Sequence, residues 1–594
     1  MPLSVSIVIP AHNAAATLAG TVASVQAQTH ADWEVVIVEN GSSDDTRRVA
    51  ENLAAQDSRI RVTHSEARGV SHARNVGLRL ARHDWVLFLD ADDWILPAHL
   101  SSLTSILAAR PLLDAVHCGW RRVSPSGDTL VEQIGPNDED LFPVFARTCA
   151  FAIHACVVRR SAVLEVGGFD VSLRTCEDWD VWQRIARAGA RFALHPEILA
   201  IYLARPSSAS MDGHQMLRDS LKVVGHAFEH DPRVPRPLPA YANGLPADTL
   251  PGVRLDNLLW QAGLVLGSGQ DATSLFTALP REPFANLDAD GAACTLFDAM
   301  RLPTACPSCV AWRLHARILP QLQRFLAALE NHTGQKGLGR SILAQLERQV
   351  LKSANTPRPF TAGHTHAITI EVTRPFPELT LPAPVDRLHC RVELEGRPLG
   401  ELELPVCDGL VPAEILADAV AAEFAWPILG RFFADTLYPA LSVRRESSGW
   451  SVHRGSHLLA RDIPDETLPV ETLHDRVGWS LFLQEAWALP QPAMEGFYAP
   501  NTLERRNDPP HVKSADAEWL SVDLLDPLPA HRRVKPRVDL VLTVADVAVC
   551  RRPAIVPRRI LSSDTIRAVV TAEAGFELCR ICVREALLQR PLPA

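Results

Sequence analysis

Three aspartates, Asp90, Asp92 and Asp93, directly follow the hydrophobic run 87–89 of this 594-residue chain. The carboxylate oxygens of Asp90 and Asp92 are hard ligands of the kind that Mg²⁺ and Mn²⁺ prefer. A metal held there can act as a Lewis acid and neutralise a departing diphosphate. Taken alone, an acidic triplet after a strand is more often a solvated loop or a helix start than a metal site. The triplet therefore needs support from other residues.

A second acidic group, Glu177-Asp178-Trp179-Asp180, opens a segment with helical spacing that stops at Gly189. A carboxylate such as Asp178 can act as a general base when it reaches an acceptor hydroxyl and its surroundings raise its pKa. Acidic residues also favour helix N-termini through the helix dipole, so capping is the competing interpretation.

The elements that must position these residues are short β-branched runs alternating with helical patterns. The predicted strands are 6–9, 33–38, 60–63 and 85–89. One predicted helix carries the apolar stripe Leu18, Val22 and Val25, and another is expected to begin with Ser71 as its N-cap. Such alternation predicts an α/β fold with a doubly wound, mostly parallel sheet.

Ligands of such sheets gather at the carboxyl ends of the strands. The segments found there are Pro10-Ala11-His12-Asn13, Glu39-Asn40-Gly41-Ser42 and Asp90-Ala91-Asp92-Asp93. Three polar loops are therefore expected to converge on one crevice.

Five sequence blocks resemble the family 2 glycosyltransferases of the GT-A fold, in order and in spacing. They are residues 5–13, 36–46, 68–78 and 87–93, and Gly168-Phe169-Asp170 followed by Glu177-Asp178-Trp179-Asp180. The resemblance covers residues 1–220 and implies an inverting, metal-dependent transferase that uses a nucleotide-sugar donor. It also implies a divalent metal cofactor, Mn²⁺ or Mg²⁺.

The resemblance assigns roles residue by residue. Pro10, His12 and Asn13 would shape the floor under the nucleotide, and Glu39, with Asn40 beside it, would read the base. The diphosphate and metal region would comprise Arg74, Asp90, Asp92 and Glu177, with Asp92 as the principal metal ligand and Asp90 near the metal or ribose. Asp178 would be the general base and take the proton of the acceptor hydroxyl. The hydroxyl would attack the anomeric carbon from the face opposite the nucleotide, which implies inversion in one displacement.

Two positions depart from the family pattern. Many relatives have Asp where this chain has Glu39, so uridine specificity does not follow. Arg205 stands where a His before Pro206 often completes the metal shell. Arg205 is expected either to contact the diphosphate or to be an ordinary surface residue.

The rest of the chain matches no family motif. We expect a catalytic domain over 1–225, a mainly helical accessory domain over 226–355 and an α+β, β-rich accessory domain over 356–594. The last domain is predicted to contain a hairpin around Gly396, a helix over 412–425 that ends before Pro427, a strand over 538–544 and a closing helix over 574–589.

Composition excludes several classes of protein. The net charge of −10 argues against sequence-independent binding to nucleic acid. The absence of a basic, apolar leader and of a long apolar stretch predicts a cytoplasmic protein without transmembrane segments, and leaves open a peripheral position at the inner face of the membrane.

Three functions remain in competition. The first is a transferase that builds bacterial surface polysaccharide or another glycan, with a glycan or lipid-linked sugar as the acceptor. The second is a sugar nucleotidyltransferase, which would require a glycine-rich basic loop that Pro10-Ala11-His12-Asn13 does not provide. The third is a degenerate transferase domain that binds glycan or protein.

Overall fold

The computed structural model describes residues 3–463 and 518–589, apart from internal gaps. The gaps are 207, 281–286, 309–310, 355–363, 383, 407–408, 437–440, 447–448, 455–456, 525, 527, 529–530, 545–546, 556–559, 564–565 and 567–574. The chain divides into two compact units: Met1–Phe284 with Cys294–Leu314, and Ala285–Ala293 with His315–Ala594. The predicted domain boundaries near residues 225 and 355 stay predictions.

The first unit is built on one mixed sheet. Its strands are β1 (Val5–Ala11), β2 (Trp33–Glu39), β3 (Ile60–His64), β4 (Trp85–Phe88), β5 (Trp94–Ile95), β6 (Ala115–Val123), β7 (Thr129–Gln133), β8 (Cys156–Arg159) and β9 (Phe192–Leu203). The spatial order is β3-β2-β1-β4-β8-β6-β9-β5, and β7 pairs with β6 at the side. The first four strands run parallel, whereas β8 is antiparallel to both of its neighbours.

Helices cover this sheet and continue along the chain. Their bounds are α1 (Leu18–Gln26), α2 (Thr46–Gln56), α3 (Val70–Leu80), α4 (His99–Ala109), α5 (Phe142–Phe145), α6 (Arg160–Glu165), α7 (Glu177–Arg187), α8 (Gly213–Ala227), α9 (Leu250–Gly267), α10 (Ala289–Met300), α11 (Ala311–Thr333) and α12 (Leu338–Ala354). The predicted α/β fold class is confirmed, and the four predicted strands are present as β1 to β4.

The core of the first unit forms because its central strands are apolar on both faces. All seven residues of β2 are buried, as are all four of β4. The predicted stripe Leu18, Val22 and Val25 lies fully inside the same core. Val253 of α9 joins this core, and the Asn257 side chain donates a hydrogen bond to the Arg147 carbonyl over 3.1 Å. The first turns of α9 therefore pack on the sheet domain.

The second unit is β-rich, as predicted. Its strands are β10 (Thr365–Glu371), β11 (Leu379–Thr380), β12 (Arg387–Leu394), β13 (Arg397–Pro405), β14 (Leu410–Val411), β15 (Leu441–Glu446), β16 (Gly449–Arg454), β17 (His457–Ile463), β18 (Glu518–Asp523), β19 (His531–Arg533), β20 (Arg537–Val544), β21 (Val547–Ile555) and β22 (Ile560–Ser562). They are joined by α13 (Ala413–Thr436) and α14 (Gly575–Leu587). The hairpin at Gly396, the strand near 538 and the closing helix are confirmed.

Two helix ends differ from the predictions. α3 begins at Val70 rather than after Ser71, because Gly69 adopts φ +119° and serves as the N-cap in a conformation that a side chain disfavours. α13 continues through Pro427 to Thr436 instead of ending before the proline. α13 packs against α14 and β13, and tertiary packing can outweigh the lost hydrogen bond and the steric clash that a proline causes inside a helix.

Among the described residues, no helix combines the length and apolarity that crossing a membrane requires.

Gly77 is expected to be the least replaceable glycine of α3. A Cβ at this position would lie 2.2 Å from Val8 Cγ1 and 3.2 Å from Val38 Cγ2, because α3 packs closely on β1 and β2. Gly77→Ala should therefore lower the free energy of unfolding by about 1–3 kcal/mol, measured as a shift of the urea midpoint. Gly20→Ala in α1 is the matched control, since nothing lies within 4 Å of its Cβ. A gain of up to about 1 kcal/mol is expected there; equal losses in both variants would refute the packing argument.

Candidate active site

The three predicted polar loops lie at one edge of the sheet. Because β1, β2 and β4 run parallel, the residues after each strand emerge at the same carboxyl edge. Hydrogen bonds tie the first two loops together: the His12 ring donates from Nδ1 to the Asn40 carbonyl over 3.0 Å, and the Ser43 amide donates to Asn13 Oδ1 over 2.8 Å. Asn13 itself adopts φ +50°. Pro10 lies one residue before the end of β1, next to this loop.

The Asn40 side chain extends the network to a further loop. Its amide donates to the Ala67 carbonyl over 2.8 Å, and its oxygen accepts from the Gly69 amide over 2.8 Å. Asn40 thereby fixes the start of α3, the helix that carries Arg74.

Glu39 lies at the end of β2 with both carboxylate oxygens engaged. Oε1 accepts the Ser42 amide over 2.6 Å, and Oε2 lies 3.2 Å from Nδ1 of His64. Burial acts to raise the pKa of Glu39, but hydrogen bonds from Ser42 and His64 lower it further than burial raises it. The carboxylate is therefore held ionised, with its oxygens turned towards its own loop.

Arg74 joins the two acidic blocks of the sequence. Its guanidinium is buried and donates to Asp90 Oδ1 over 2.6 Å and to Glu177 Oε1 over 2.5 Å. Phe169, from the same sequence block as Glu177, places its ring centroid 5.5 Å from the guanidinium carbon. Although burial opposes it, the charges of Asp90, Glu177 and Asp178 raise the pKa of Arg74. One cation thus brings residue 90 and the start of α7 together.

Asp178, beside Glu177 in the first turn of α7, is mostly buried and accepts a hydrogen bond from the Trp179 amide over 2.7 Å. Burial, and next the charge of Glu177, raise the pKa of Asp178 to about 7, against the opposing effect of Arg74. Trp179 and Trp182 are both buried on the same helix. Asp178 is therefore a carboxylate whose proton affinity suits proton transfer near neutral pH.

Asp92 contacts Nη2 of Arg205, the residue two positions beyond the end of β9. Burial and then the charge of Asp90 raise the pKa of Asp92, while Arg205 lowers it. Arg205 is therefore not an isolated surface residue: it is paired with the carboxylate that the resemblance assigns to the metal.

Sequence reasoning missed the role of Asp93 and did not single out His154. Asp93 Oδ1 accepts the Leu203 amide over 2.8 Å, and Oδ2 lies 3.3 Å from Nδ1 of His154. Both side chains are fully enclosed. Asp93 was visible in the sequence as the third acidic residue of the triplet. Its partners could not be predicted, because they lie more than 60 residues away in sequence.

The donor set at Asp90 and Asp92 fits a divalent cation only in part. In the described part of the chain, no group of three or more His, Cys, Asp or Glu side chains is arranged to hold a metal. Two carboxylates suffice for Mg²⁺-type binding when phosphate oxygens and water supply the other ligands. The residues present thus fit a cation that is shared with a bound diphosphate.

Comparisons with known proteins identify a family match over part of the chain. Residues 6–167 match the family model described as glycosyl transferase family 2. The chain is 36% identical over 127 residues to the uncharacterised glycosyltransferase EpsJ of Bacillus subtilis, covering 21% of this chain and 37% of that protein. It is 30% identical over 209 residues to the O-antigen biosynthesis protein RfbC of Myxococcus xanthus, covering 35% of this chain and 16% of that protein. The chain thus spans less than two fifths of either relative.

Two solved structures are also similar. TarS of S. aureus aligns with a TM-score of 0.34 at 15% identity, over 55% of each chain. The mannosyltransferase PcManGT of Pyrobaculum calidifontis, in complex with GDP-Man and Mn²⁺, aligns with a TM-score of 0.35 at 19% identity, over 57% of this chain and 89% of that one.

Replacing Arg74 should destabilise the first unit. Arg74→Met keeps the length of the side chain but leaves Asp90 and buried Glu177 without their counter-ion, so a loss of about 3 kcal/mol in unfolding free energy is expected. The measurement is urea denaturation followed by tryptophan fluorescence. Arg47→Met is the control, because its pair with Glu51 is exposed and should matter by less than about 0.5 kcal/mol. Similar small losses of unfolding free energy in both variants would show that the pairs of Arg74 with Asp90 and Glu177 do not stabilise the first unit.

Proposed function

We propose that this chain, whose residues 6–167 are a family 2 glycosyltransferase domain, moves a sugar from a nucleotide-diphosphate sugar to an acceptor hydroxyl with inversion at the anomeric carbon. The observation that carries the proposal is Asp178. It is a mostly buried carboxylate with a pKa near 7, held beside the Arg74 bridge at the edge where the polar loops meet.

In this proposal Asp178 accepts the proton of the acceptor hydroxyl while that oxygen attacks the anomeric carbon. The nucleotide leaves from the opposite face, which gives inversion in a single displacement. A general base works best when its pKa lies near the operating pH, because it is then largely ionised and still a strong acceptor. The surroundings of Asp178 meet that condition, whereas an aspartate with its usual pKa would be a weak base.

The donor would lie along the carboxyl edge of β1, β2 and β4. Pro10, His12 and Asn13 supply the floor under the nucleotide, with Glu39 and Asn40 beside the base. Both of these last side chains are engaged within the chain, so we assign them to shaping the pocket wall through the loops they hold.

The diphosphate would lie over Asp90 and Asp92, which would hold a divalent cation, Mn²⁺ or Mg²⁺, together with phosphate oxygens. Such a cation, when bound, stabilises the negative charge that develops on the leaving diphosphate. Arg74 and Glu177 hold Asp90 in place, and Arg205 supplies a guanidinium whose planar fork matches phosphate oxygens.

We assign the product to bacterial surface polysaccharide or a related glycan, with a glycan or lipid-linked sugar as the acceptor. The support is the similarity of the chain to RfbC, an O-antigen biosynthesis protein. A cytoplasmic location, with or without association at the inner face of the membrane, stays a prediction.

One observation favours a second function, a degenerate domain that binds glycan or protein without turnover. Both candidate metal ligands are already paired with arginines, Asp90 with Arg74 and Asp92 with Arg205. In a domain that only binds, these two carboxylates need not hold a metal, so their pairing with arginines would not interfere with function. Such a domain would not, however, require a buried aspartate with a pKa near 7, which is why we favour the transferase.

The deciding experiment is a screen of UDP-, GDP- and dTDP-linked sugars for binding and for Mn²⁺-dependent hydrolysis by the full chain. Binding of one donor with slow hydrolysis supports the transferase. Asp92→Ala should weaken both signals. If no nucleotide sugar binds, the transferase is excluded in favour of the binding module.

Asp178→Asn is expected to lower turnover by about 10²–10⁴-fold while leaving donor affinity nearly unchanged, because the amide cannot accept the proton. Turnover is measured on the donor and acceptor that the screen identifies. Asp57→Asn is the matched control: Asp57 pairs with Arg59 just before β3, at the strand end opposite the site, and activity should stay intact. If Asp178→Asn turned over as fast as the unmodified chain, another residue would be the general base, and the proposed transferase activity would still stand.

The pH dependence of kcat/KM should follow the ionisation of Asp178. Because the base acts when deprotonated, the logarithm of the rate should rise with unit slope up to about pH 7 and level off above it. An aspartate with its usual pKa would give a level profile from about pH 5. Glu177→Gln removes the neighbouring negative charge and should move the inflection to lower pH. A kcat/KM profile that is level between pH 5 and 8 would contradict the assignment of Asp178, with its raised pKa, as the general base.

A further inference from the structure

Arg205 and Asp92 form an ion pair inside the proposed donor site. Their side chains are 37% and 19% exposed, so the pair borders the solvent-filled edge of the sheet rather than the core. Arg205 therefore occupies the carboxylate through which a cation would have to bind.

The pair is held by a connection directly behind it. Asp93, the neighbour of Asp92, accepts the amide of Leu203, two residues before Arg205, over 2.8 Å. His154 lies 3.3 Å from the other oxygen of Asp93, and both side chains are fully enclosed. Since Asp93 fixes the end of β9 to the acidic turn, Arg205 cannot drift far from Asp92. The pairing is thus a built feature of the fold.

The charges around the site determine how the pair of Arg205 and Asp92 affects cation binding. Asp90 is paired with the buried Arg74, whereas the partner of Asp92, Arg205, lies at the exposed side of the site. A free divalent cation must therefore compete with the Arg205 guanidinium for the Asp92 carboxylate. A diphosphate changes the balance, because it gives Arg205 two oxygens to bind and gives the cation further oxygen ligands.

We propose that Arg205 is an internal counter-ion that closes Asp92 to divalent cations until a nucleoside diphosphate arrives, so that cation and diphosphate bind as one unit. On binding, Arg205 passes from Asp92 to the diphosphate, and the cation takes its place at Asp92. The inference rests on the proposed function, since it concerns the same donor site. By linkage, the cation must raise the affinity for the diphosphate by the same factor as the diphosphate raises the affinity for the cation.

The test measures Mn²⁺ binding to the full chain by the loss of the free-ion electron paramagnetic resonance signal. Titrations are run with Mn²⁺ alone and with saturating UDP or GDP, each corrected by a nucleotide blank without protein. For the unmodified chain we expect at least about tenfold tighter Mn²⁺ binding with the nucleotide, within the usual range of coupling between sites. Arg205→Ala should bind Mn²⁺ alone more tightly and reduce the coupling to about twofold.

Two further variants keep the result interpretable. Arg205→Lys retains the charge and the pair with Asp92, so it should preserve most of the coupling even if the alanine variant folds poorly. Arg110→Ala, which removes a half-exposed arginine paired with Glu139, is the matched control and should behave like the unmodified chain.

Several results would overturn the proposal. One is equally tight Mn²⁺ binding with and without nucleotide in the unmodified chain; another is unchanged coupling in Arg205→Ala. Full turnover in the presence of EDTA would also overturn it, because Arg205 would then serve as the cation itself. Failure of the proposed function is a separate outcome, recognised by the absence of any nucleotide or nucleotide-sugar binding.

Discussion

The site depends on one buried guanidinium. Arg74 binds Asp90, which follows β4, and Glu177, which opens α7, although these residues lie 87 positions apart in sequence. A buried charge of this kind is tolerated only when it is paired and hydrogen-bonded, so the fold must keep both carboxylates within reach of it. That requirement fixes where α7 begins relative to the sheet, and with it the position of Asp178.

The same requirement sets the chemistry of Asp178. Glu177 is needed to neutralise Arg74, but its charge lies beside Asp178 and raises the pKa of that group, while Arg74 lowers it. Burial tips the balance towards the protonated form. A single ion-paired arginine therefore does two things: it assembles the acidic blocks and limits how far the pKa of the neighbouring aspartate can rise.

Sequence patterns predicted the parts of this structure that depend on local order. The strands β1 to β4, the helix that begins at Glu177 and the convergence of the loops follow from hydrophobic period and from the parallel arrangement of strands. The partners of Arg74 and Arg205, and the contact of Glu39 with His64, did not follow, because these residues lie far apart in sequence and meet only in the folded unit. The helix start at Gly69 and the passage of α13 through Pro427 were also missed, since a positive φ and tertiary packing outweighed the local signals.

The two departures from the family pattern share one physical property. Glu39 is one methylene longer than aspartate, and it uses that length to reach both the Ser42 amide and His64. Arg205 is longer than histidine and reaches Asp92 from beyond the end of β9. In both places a longer side chain contacts a partner within the chain, at the edge of the proposed donor site. A ligand must therefore compete with, or rearrange, contacts that the chain already makes. Selectivity at such a site comes from what the ligand offers the displaced partner, and a diphosphate, with several negatively charged oxygens, can satisfy a guanidinium better than a lone cation can.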